Sequence, residues 1–281
     1  MDAESLTIST ADATRLSILP SNGRGAALIA TLLAAAVNVV RVTTPAPWQD
    51  EAATWVSTQR SLPELWSMLR HVDAVHGLYY LVVRGWMHLF GDSVTSLRLL
   101  SVAAVAVGAG LAALLASEVF GPGASLWAGL CYGILPQATW AAAEGRSYAL
   151  SAAATTAAML AFWIAVRSRR WVAWLAYAAL LAVSIHLFLY SALAFLGLGA
   201  ALFWLPRSVR IPAGVATTAG TLACSPFIRL AISQSKQVSW VANAQFGPRE
   251  VLLEPFWGTT TWTQAAGALL TIAATITKIS S

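Results

Sequence analysis

Apolar runs about 20 residues long dominate this chain of 281 residues. The hydrocarbon core of a bilayer is about 30 Å thick, so a helix that crosses it needs about 20 mostly apolar residues. The hydrophobic fraction is 58% and the charged fraction only 10%, whereas soluble domains typically carry about a quarter charged residues. The sequence therefore predicts an all-α, polytopic membrane protein.

The apolar runs set the predicted number of spans. About eight transmembrane helices are predicted near residues 25–42, 94–117, 123–143, 147–167, 171–187, 189–205, 212–231 and 261–279. The first run continues past Val40 without a small-residue cleavage site, which indicates a retained span rather than a signal peptide. We expect residues 1–24 to form a cytosolic tail and residues 25–281 to form one transmembrane domain.

Basic residues in short connections predict the orientation, because Lys and Arg there favour the cytoplasmic side. Two such turns share the side of the N-terminus if the spans alternate, and they carry Arg167, Arg169, Arg170, Arg207 and Arg210. The chain is thus predicted to be a multi-pass plasma-membrane protein with a cytoplasmic N-terminus. All four histidines and most acidic residues then lie on or near the outer face, where we expect any active site.

The positive net charge does not indicate a nucleic-acid partner. The net charge is +5, but the 17 Lys and Arg residues are scattered among apolar spans, and neither a basic helix nor a zinc pattern accompanies them. Contact with anionic membrane lipid explains the charge better. Cys131 and Cys224 both lie in apolar runs without a Cys-x-x-Cys pattern, so neither a disulfide framework nor a cysteine metal site is expected.

The segment 43–93 interrupts the apolar pattern with some of the most polar sequence in the chain. Residues 62–69 begin with Leu62 and Pro63, and proline is favoured in the first turn of a helix. Residues 78–90 are apolar, with Arg84 and His88 four positions apart on one helical face. The sequence predicts an outer loop whose helices lie in the membrane interface.

Two adjacent carboxylates, Asp50 and Glu51, follow the first span closely. Partly desolvated carboxylates are costly, so they need cations, a metal or a substrate proton nearby. One hypothesis is a base that deprotonates an incoming hydroxyl, and the alternative is a solvated acid pair in a loop. His71, Asp73 and His76 fit no established metal spacing, which favours hydrogen-bonded or solvated side chains over a metal site.

Further polar residues fall at the outer ends of later spans. Arg98 either extends to the lipid headgroups or pairs with an anionic group. Glu144 and Arg146 form either a simple ion pair or part of a polar cavity opposite Asp50. His186 and Lys236, like their polar neighbours, are individually more typical of interface anchors, and only their common side argues for a site.

The order of several motifs resembles the GT-C glycosyltransferases, in particular the branch of protein O-mannosyltransferases and aminoarabinose transferases that includes actinobacterial mannosyltransferase-like proteins. The resemblance extends over about residues 25–245. It is carried by Trp48-Gln49-Asp50-Glu51, His76-Gly77-Leu78-Tyr79-Tyr80, Leu89-Phe90-Gly91-Asp92-Ser93, Leu97-Arg98-Leu99-Leu100-Ser101, Glu144-Gly145-Arg146-Ser147-Tyr148 and Gln234-Ser235-Lys236-Gln237-Val238-Ser239-Trp240.

The resemblance implies an inverting sugar transfer, with mannose favoured, from a polyprenyl-phosphate donor to a protein, glycolipid or glycan acceptor outside the membrane. It implies that Asp50, with Glu51 beside it, is the catalytic base. The expected donor-phosphate ligands are Arg98, Arg146 and Lys236, since guanidinium groups match phosphate oxygens in a bidentate way. The expected substrate-site residues are His76, Tyr79, Tyr80, Glu144 and His186. No cofactor is established by the resemblance, and a divalent metal stays open.

The sequence departs from the family pattern at three places. Gly77 follows His76 where His-Pro-Pro is common, and Gly145 replaces the alanine of Glu-Ala-Arg. Family members are usually longer, so we expect a chain ending at Ser281 to be C-terminally short. The competing hypothesis is therefore a non-catalytic component that binds or transports lipid-linked sugar, or an inactive remnant.

Overall fold

Helices make up all the regular structure that is described. The computed structural model describes residues 23–237, the side chains of residues 200, 201 and 204 excepted. In chain order the α-helices are α1 (Gly23–Val39), α2 (Gln49–Gln59), α3 (Leu62–Leu69), α4 (Gly77–Phe90), α5 (Val94–Phe120), α6 (Pro122–Ile134), α7 (Pro136–Ala142), α8 (Tyr148–Ser168), α9 (Trp171–Leu187), α10 (Ala192–Ala201), α11 (Arg207–Ala223) and α12 (Ser225–Ser233). The all-α prediction is confirmed for these residues, while the tail up to residue 22 and the span predicted at 261–279 lie outside them.

Helices lie at each predicted span position within residues 23–237. Two of them, α5 and α8, are long and apolar enough to cross a membrane, and a third span results if α11 and α12, bent by 46°, count as one. The apolar helices α1 and α9 have 17 residues each. The total of about eight spans therefore stays a prediction.

The run predicted as one span at 123–143 is broken into α6 and α7. Pro136 has no backbone N–H and disfavours a helical conformation for the residue before it, and Leu135 indeed has φ −53° and ψ 136°. Buried Asn38 compensates for the break, since its Nδ2 donates to the carbonyl oxygen of Gly133 at 3.0 Å. A side-chain amide thus satisfies a carbonyl group that an intact helix would have bonded itself.

Helix α5 lies at the centre of the bundle, where it packs against α1, α6 and α8. Helix α9 packs in turn against α8 and α11. Small residues let α1, α5 and α6 approach each other closely. A Cβ atom on Gly129 of α6 would lie 2.5 Å from the Cβ of Ala30 and 2.8 Å from the carbonyl oxygen of Ala109. Close backbone contact through small side chains is the usual packing mode of helices in lipid.

Large apolar side chains cover the outside of this bundle. Exposed examples on four different helices are Leu28, Leu32, Trp127, Leu175 and Ile211. An apolar exterior of this extent is unfavourable in water and is expected where hydrocarbon is the solvent. The fold, like the composition, is that of a membrane protein.

The helices predicted in segment 43–93 are confirmed, with α4 beginning one residue earlier than the pattern indicated. Helix α3 starts with a capping box, in which the Ser61 hydroxyl accepts from the Glu64 N–H at 3.4 Å and the Glu64 carboxylate accepts from the Ser61 N–H at 2.9 Å. Helix α2 was not predicted. The location of these helices in a membrane interface stays a prediction.

The glycine contact between α6 and its neighbours provides a stability test. Gly129→Ala is expected to lower the free energy of unfolding by about 1–3 kcal/mol, because the new methyl group overpacks a rigid contact. Thermal unfolding of the purified protein in detergent measures the change. Gly123→Ala in the same helix is the control, since a Cβ there meets nothing within 4 Å, and an equal loss in both variants would contradict the packing argument.

Candidate functional site

Helix α2 separates the two adjacent carboxylates. Successive residues of an α-helix point about 100° apart, so Asp50 and Glu51 cannot share a face. Glu51 is 1% exposed, whereas the Asp50 side chain is 43% exposed. The two acids, which the sequence presents as one pair, therefore have different surroundings.

Glu51 forms a buried bidentate ion pair with Arg98 of α5. Arg98 Nε donates to Glu51 Oε1 at 2.7 Å, and Nη2 donates to Oε2 at 2.6 Å. The backbone N–H of Gly145 also donates to Glu51 Oε1, at 2.8 Å. Planar guanidinium and carboxylate groups match in this geometry, so the charges of Glu51 and Arg98 neutralise each other inside the protein.

The remaining contacts of Arg98 connect α5 to the chain between α1 and α2. Its Nη1 donates to the carbonyl oxygens of Val42 at 3.0 Å and Pro45 at 2.8 Å, and the residue is 2% exposed. Of the two alternatives that the sequence left open, Arg98 pairs with an anionic group, and that group is Glu51. Its N–H groups are largely used by the protein itself.

Close packing around this ion pair favours glycine at position 145. A Cβ atom there would lie 2.4 Å from Leu97 Cδ2 and 3.1 Å from Glu51 Oε1. An alanine would therefore force Leu97 to move. This contact gives a physical reason for glycine where the family pattern often has alanine.

Arg146 is almost as buried as Arg98 but is bound more loosely. It is 7% exposed, and its Nη2 lies 2.7 Å from His76 Nε2. Its Nη1 donates to Thr54 Oγ1 at 3.3 Å and to the Asp50 carbonyl oxygen at 3.4 Å. The Asp50 carboxylate is 3.7 Å from Nη2, and Nε is buried without a hydrogen-bond partner.

His76 accepts a hydrogen bond from Arg146, because a guanidinium group can only donate. Burial, together with the charge of Arg146, lowers the pKa of His76 to about 3. The imidazole is then neutral at physiological pH with its proton on Nδ1, an atom that is buried without a partner. His76 thus holds Arg146 in place by a hydrogen bond, and because the imidazole is neutral it does not neutralise the positive charge of Arg146.

Two buried tyrosines line the same region. Tyr79 and Tyr80 are both 0% exposed, and the Tyr80 hydroxyl donates to Asp73 Oδ2 at 3.2 Å. Burial, and to a lesser extent Asp73, raises the pKa of Tyr80 to about 12. Burial also raises the pKa of Tyr79. Both phenols are neutral at physiological pH, and both rings are packed inside the protein.

Glu144 contacts Trp48 rather than Arg146. The Trp48 indole N–H donates to Glu144 Oε2, and the Ser101 hydroxyl donates to the Glu144 carbonyl oxygen at 2.6 Å. Burial raises the pKa of Glu144, while the Trp48 hydrogen bond opposes the rise. Glu144 thus contacts Trp48, and Arg146 contacts Asp50, two residues further along the chain. The two residues do not form the simple ion pair that was one alternative.

Lys236 lies in a helical turn just after α12, between two glutamines that contact the loop after α3. Gln234 accepts from the Ala74 N–H at 2.9 Å and donates to the Leu69 carbonyl oxygen at 2.9 Å. Gln237 donates to the His71 carbonyl oxygen at 3.2 Å. The structure thereby places Lys236 beside the loop that leads into His76.

The structure places His186 in a different set of contacts. Its Nδ1 lies 2.8 Å from the Ala182 carbonyl oxygen and 3.6 Å from Cys224 Sγ, and its ring stacks on Phe227 with centroids 4.7 Å apart. None of its described contacts is with Arg146 or Asp50. Of the residues proposed from sequence, His186 and Lys236 have no described contact with Arg146 or Asp50.

The histidines and the aspartate considered as metal ligands have separate partners. His71 Nδ1 lies 2.9 Å from the Ser67 carbonyl oxygen, Asp73 accepts from Tyr80, and His76 accepts from Arg146. Across residues 23–237 no group of three His, Cys, Asp or Glu side chains is arranged to hold a metal ion. Each of these three side chains thus forms a hydrogen bond within the protein.

Sequence reasoning missed Thr54 and assigned no role to the Trp48 side chain. Thr54 is fully buried and shares the buried face of α2 with Glu51 and Thr58. A spacing of three and four residues is the signature of one helical face, so this polar stripe was the available signal for both the helix and its buried side. The contact between Trp48 and Glu144 joins residues 96 positions apart and had no local signal.

A family model described as Dolichyl-phosphate-mannose-protein mannosyltransferase matches residues 76–231, more than half of the chain. This protein belongs to that mannosyltransferase family. No curated protein and no solved structure matches it significantly. Membership implies a glycosyltransferase that uses a lipid-linked sugar donor and an acceptor, and it supports no particular branch within the wider GT-C resemblance.

The matched range of this mannosyltransferase-family protein begins at His76 and contains both buried arginines. Asp50 and Glu51 precede the range, and Lys236 follows it. The structure nevertheless brings Glu51 and Asp50 against Arg98 and Arg146 respectively. The candidate base thus contacts the segment that carries the family match.

The buried ion pair is expected to dominate local stability. Arg98→Gln should lower the free energy of unfolding by about 3–5 kcal/mol, because it leaves the Glu51 carboxylate buried and unpaired. Arg167→Gln, which removes the exposed ion pair with Glu118, should cost about 1 kcal/mol or less. Thermal unfolding in detergent compares the two variants, and similar losses would contradict the assignment of Arg98 to a buried pair.

Neutral His76 makes the fold sensitive to acid. Since its pKa is lowered from about 6.5 to about 3 in the folded protein, the unfolded chain binds the proton first, and stability must fall as the pH drops through that window. His76→Gln keeps an acceptor for Arg146 but removes this proton uptake. The variant should lose less thermal stability than the wild type between about pH 7.5 and about pH 4.5.

The matched control for this experiment is His88→Gln, because the His88 side chain is exposed. This variant should show the acid sensitivity of the wild type. If His76→Gln and His88→Gln behaved alike, His76 would not be the group whose protonation opposes folding.

Proposed function

We propose that this protein transfers a sugar, with mannose favoured, from a polyprenyl-phosphate donor to an acceptor on the outer side of the plasma membrane, with inversion. Family membership implies the glycosyltransferase class. The observation that carries the specific proposal is the contact between a part-exposed carboxylate, Asp50, and a buried arginine, Arg146, whose Nε has no partner. One group is suited to accept a proton and the other to bind a phosphate.

Asp50 is the proposed general base. An inverting transfer needs one base to take the proton of the acceptor hydroxyl, and Asp50 is the more accessible of the two adjacent acids. Its position in the first turn of α2 fixes the carboxylate on a rigid element. Glu51, which is bound to Arg98, instead positions α2 and is assigned no contact with substrate.

Arg146 is the proposed ligand of the donor phosphate, and Lys236 is proposed to add a second positive charge. A lipid phosphate is a good leaving group that needs cations rather than a general acid. Arg146 has an N–H without a partner, whereas the N–H groups of Arg98 are largely used by Glu51 and by two carbonyl oxygens. We therefore assign Arg98 to the support of the site rather than to direct phosphate binding.

The proposed reaction is a single displacement at the anomeric carbon. The acceptor oxygen forms a bond to C1 as its proton passes to the Asp50 carboxylate. The bond between C1 and the phosphate oxygen breaks, and its electron pair stays on the phosphate, whose growing negative charge Arg146 stabilises. The products are the glycosylated acceptor and the polyprenyl phosphate.

The remaining predicted site residues are proposed to shape the sugar pocket. Tyr79 and Tyr80 provide its buried wall, His76 holds Arg146, and Glu144 with Trp48 borders the opposite end of the segment that carries Asp50. His186 stays a predicted substrate residue, on the face formed by α9 and α12. The family description names protein acceptors, so a protein is the first acceptor to test, before a glycolipid or a glycan.

The experiment is a transfer assay on the purified chain in lipid, with radiolabelled polyprenyl-phosphate mannose and a mixed membrane acceptor. Asp50→Asn should reduce transfer by about 100-fold or more, which is the usual contribution of a general base, while donor binding is retained. Glu118→Gln, a carboxylate change at the far end of α5, should leave transfer unchanged.

Two results would count against the proposal. Full transfer by Asp50→Asn would remove Asp50 as the base. Saturable donor binding without any transfer by the wild type would instead indicate a non-catalytic binder of lipid-linked sugar.

A further inference from the structure

The two buried arginines near α2 differ in how well their charges are neutralised. Arg98 forms two short hydrogen bonds to both oxygens of Glu51. Among residues 23–237, the only acidic side chain in ion-pair contact with Arg146 is Asp50, at 3.7 Å, which is beyond hydrogen-bond distance. Its other side-chain neighbours, Thr54, His76 and Tyr80, carry no charge at neutral pH.

A buried cation without a close counterion is unfavourable, so Arg146 is in a state that an incoming anion would stabilise. Its Nε is unpartnered while the residue is 7% exposed. The Asp50 carboxylate, in contrast, keeps contact with solvent and loses little if it moves away from Arg146. A phosphate oxygen that binds Nε and Nη2 would replace a long, weak contact with a short, charge-assisted one.

We propose that the donor phosphate and the Asp50 carboxylate compete for Arg146, so that donor binding releases Asp50 to act as the base. This inference rests on the proposed function and adds an order to it: the carboxylate is restrained until the donor is in place. The Asp50 restraint then limits proton removal from an acceptor when no donor is bound.

The charges involved change in the direction that favours the reaction. The donor is a phosphodiester with one negative charge, and the released phosphate monoester carries about −1.5 to −2 at pH 7. Arg146 therefore binds the developing product charge more strongly than the donor, which is the condition for catalysis. Once the phosphate occupies Arg146, the Asp50 carboxylate is no longer paired with that arginine and can accept the proton of the acceptor hydroxyl.

The test is equilibrium binding of polyprenyl phosphate, the product without sugar, to the purified protein in lipid nanodiscs, because this needs no turnover. Asp50→Asn should tighten binding about twofold to fivefold, the range expected when a weak competing ion pair is removed. Arg146→Gln should weaken binding, and in the Arg146→Gln background Asp50→Asn should have no further effect. Such non-additivity is the signature of two groups that share one partner.

Asp92→Asn is the matched control, because Asp92 contacts Trp55 and Gln59 rather than an arginine. It removes an equal charge and should leave binding unchanged; tightening equal to that of Asp50→Asn would reduce the effect to general electrostatics and overturn the inference. Wild-type binding that Asp50→Asn leaves unchanged or weakens would overturn the inference but not the proposed function. Absence of wild-type binding to polyprenyl phosphate would overturn both.

Discussion

The buried ion pair between Glu51 and Arg98 is the interaction on which the arrangement of the site depends. It connects α2 to α5, and the additional bonds of Arg98 to Val42 and Pro45 fix the chain between α1 and α2. The Gly145 N–H completes the shell of the carboxylate. Two charges in a low-dielectric region are tolerated only with such complete hydrogen bonding, so the loop before α8 and the start of α2 are held together.

This rigid pair determines the position of a second, less saturated one. Because Glu51 is fixed inward, Asp50 must point to another side of α2, and because Gly145 is fixed against Glu51, Arg146 lies next to Asp50 and Thr54. The pair of Glu51 and Arg98, whose hydrogen bonds are nearly all made within the protein, is suited to support the site. The pair of Asp50 and Arg146, which is bound more loosely, is suited to bind substrate and react. The difference lies in hydrogen-bond geometry, since both arginines are buried to a similar degree.

Helices with a local signal in the sequence could be predicted, and those without one could not. The helices at 62–69 and 77–90 were predictable because a proline in the first turn and an apolar face are local signals. The break at Leu135 was visible as Pro136 but was read as part of one span. Helix α2 was missed because its apolar content is low and its buried face is polar, with Glu51, Thr54 and Thr58 where a core residue is normally apolar.

By itself the sequence determined that the protein lies in a membrane, that it is helical and which family it resembles, because hydropathy and ordered short motifs are encoded along the chain. Only the tertiary structure decided which of two adjacent acids reaches solvent and which arginine pairs with which acid. Arg98 and Glu51 are 47 positions apart in the sequence, and Arg146 and Asp50 are 96 positions apart. Contacts over such separations depend on how the helices pack. The assignment of a supporting pair and a reactive pair therefore comes from side-chain geometry in the folded bundle.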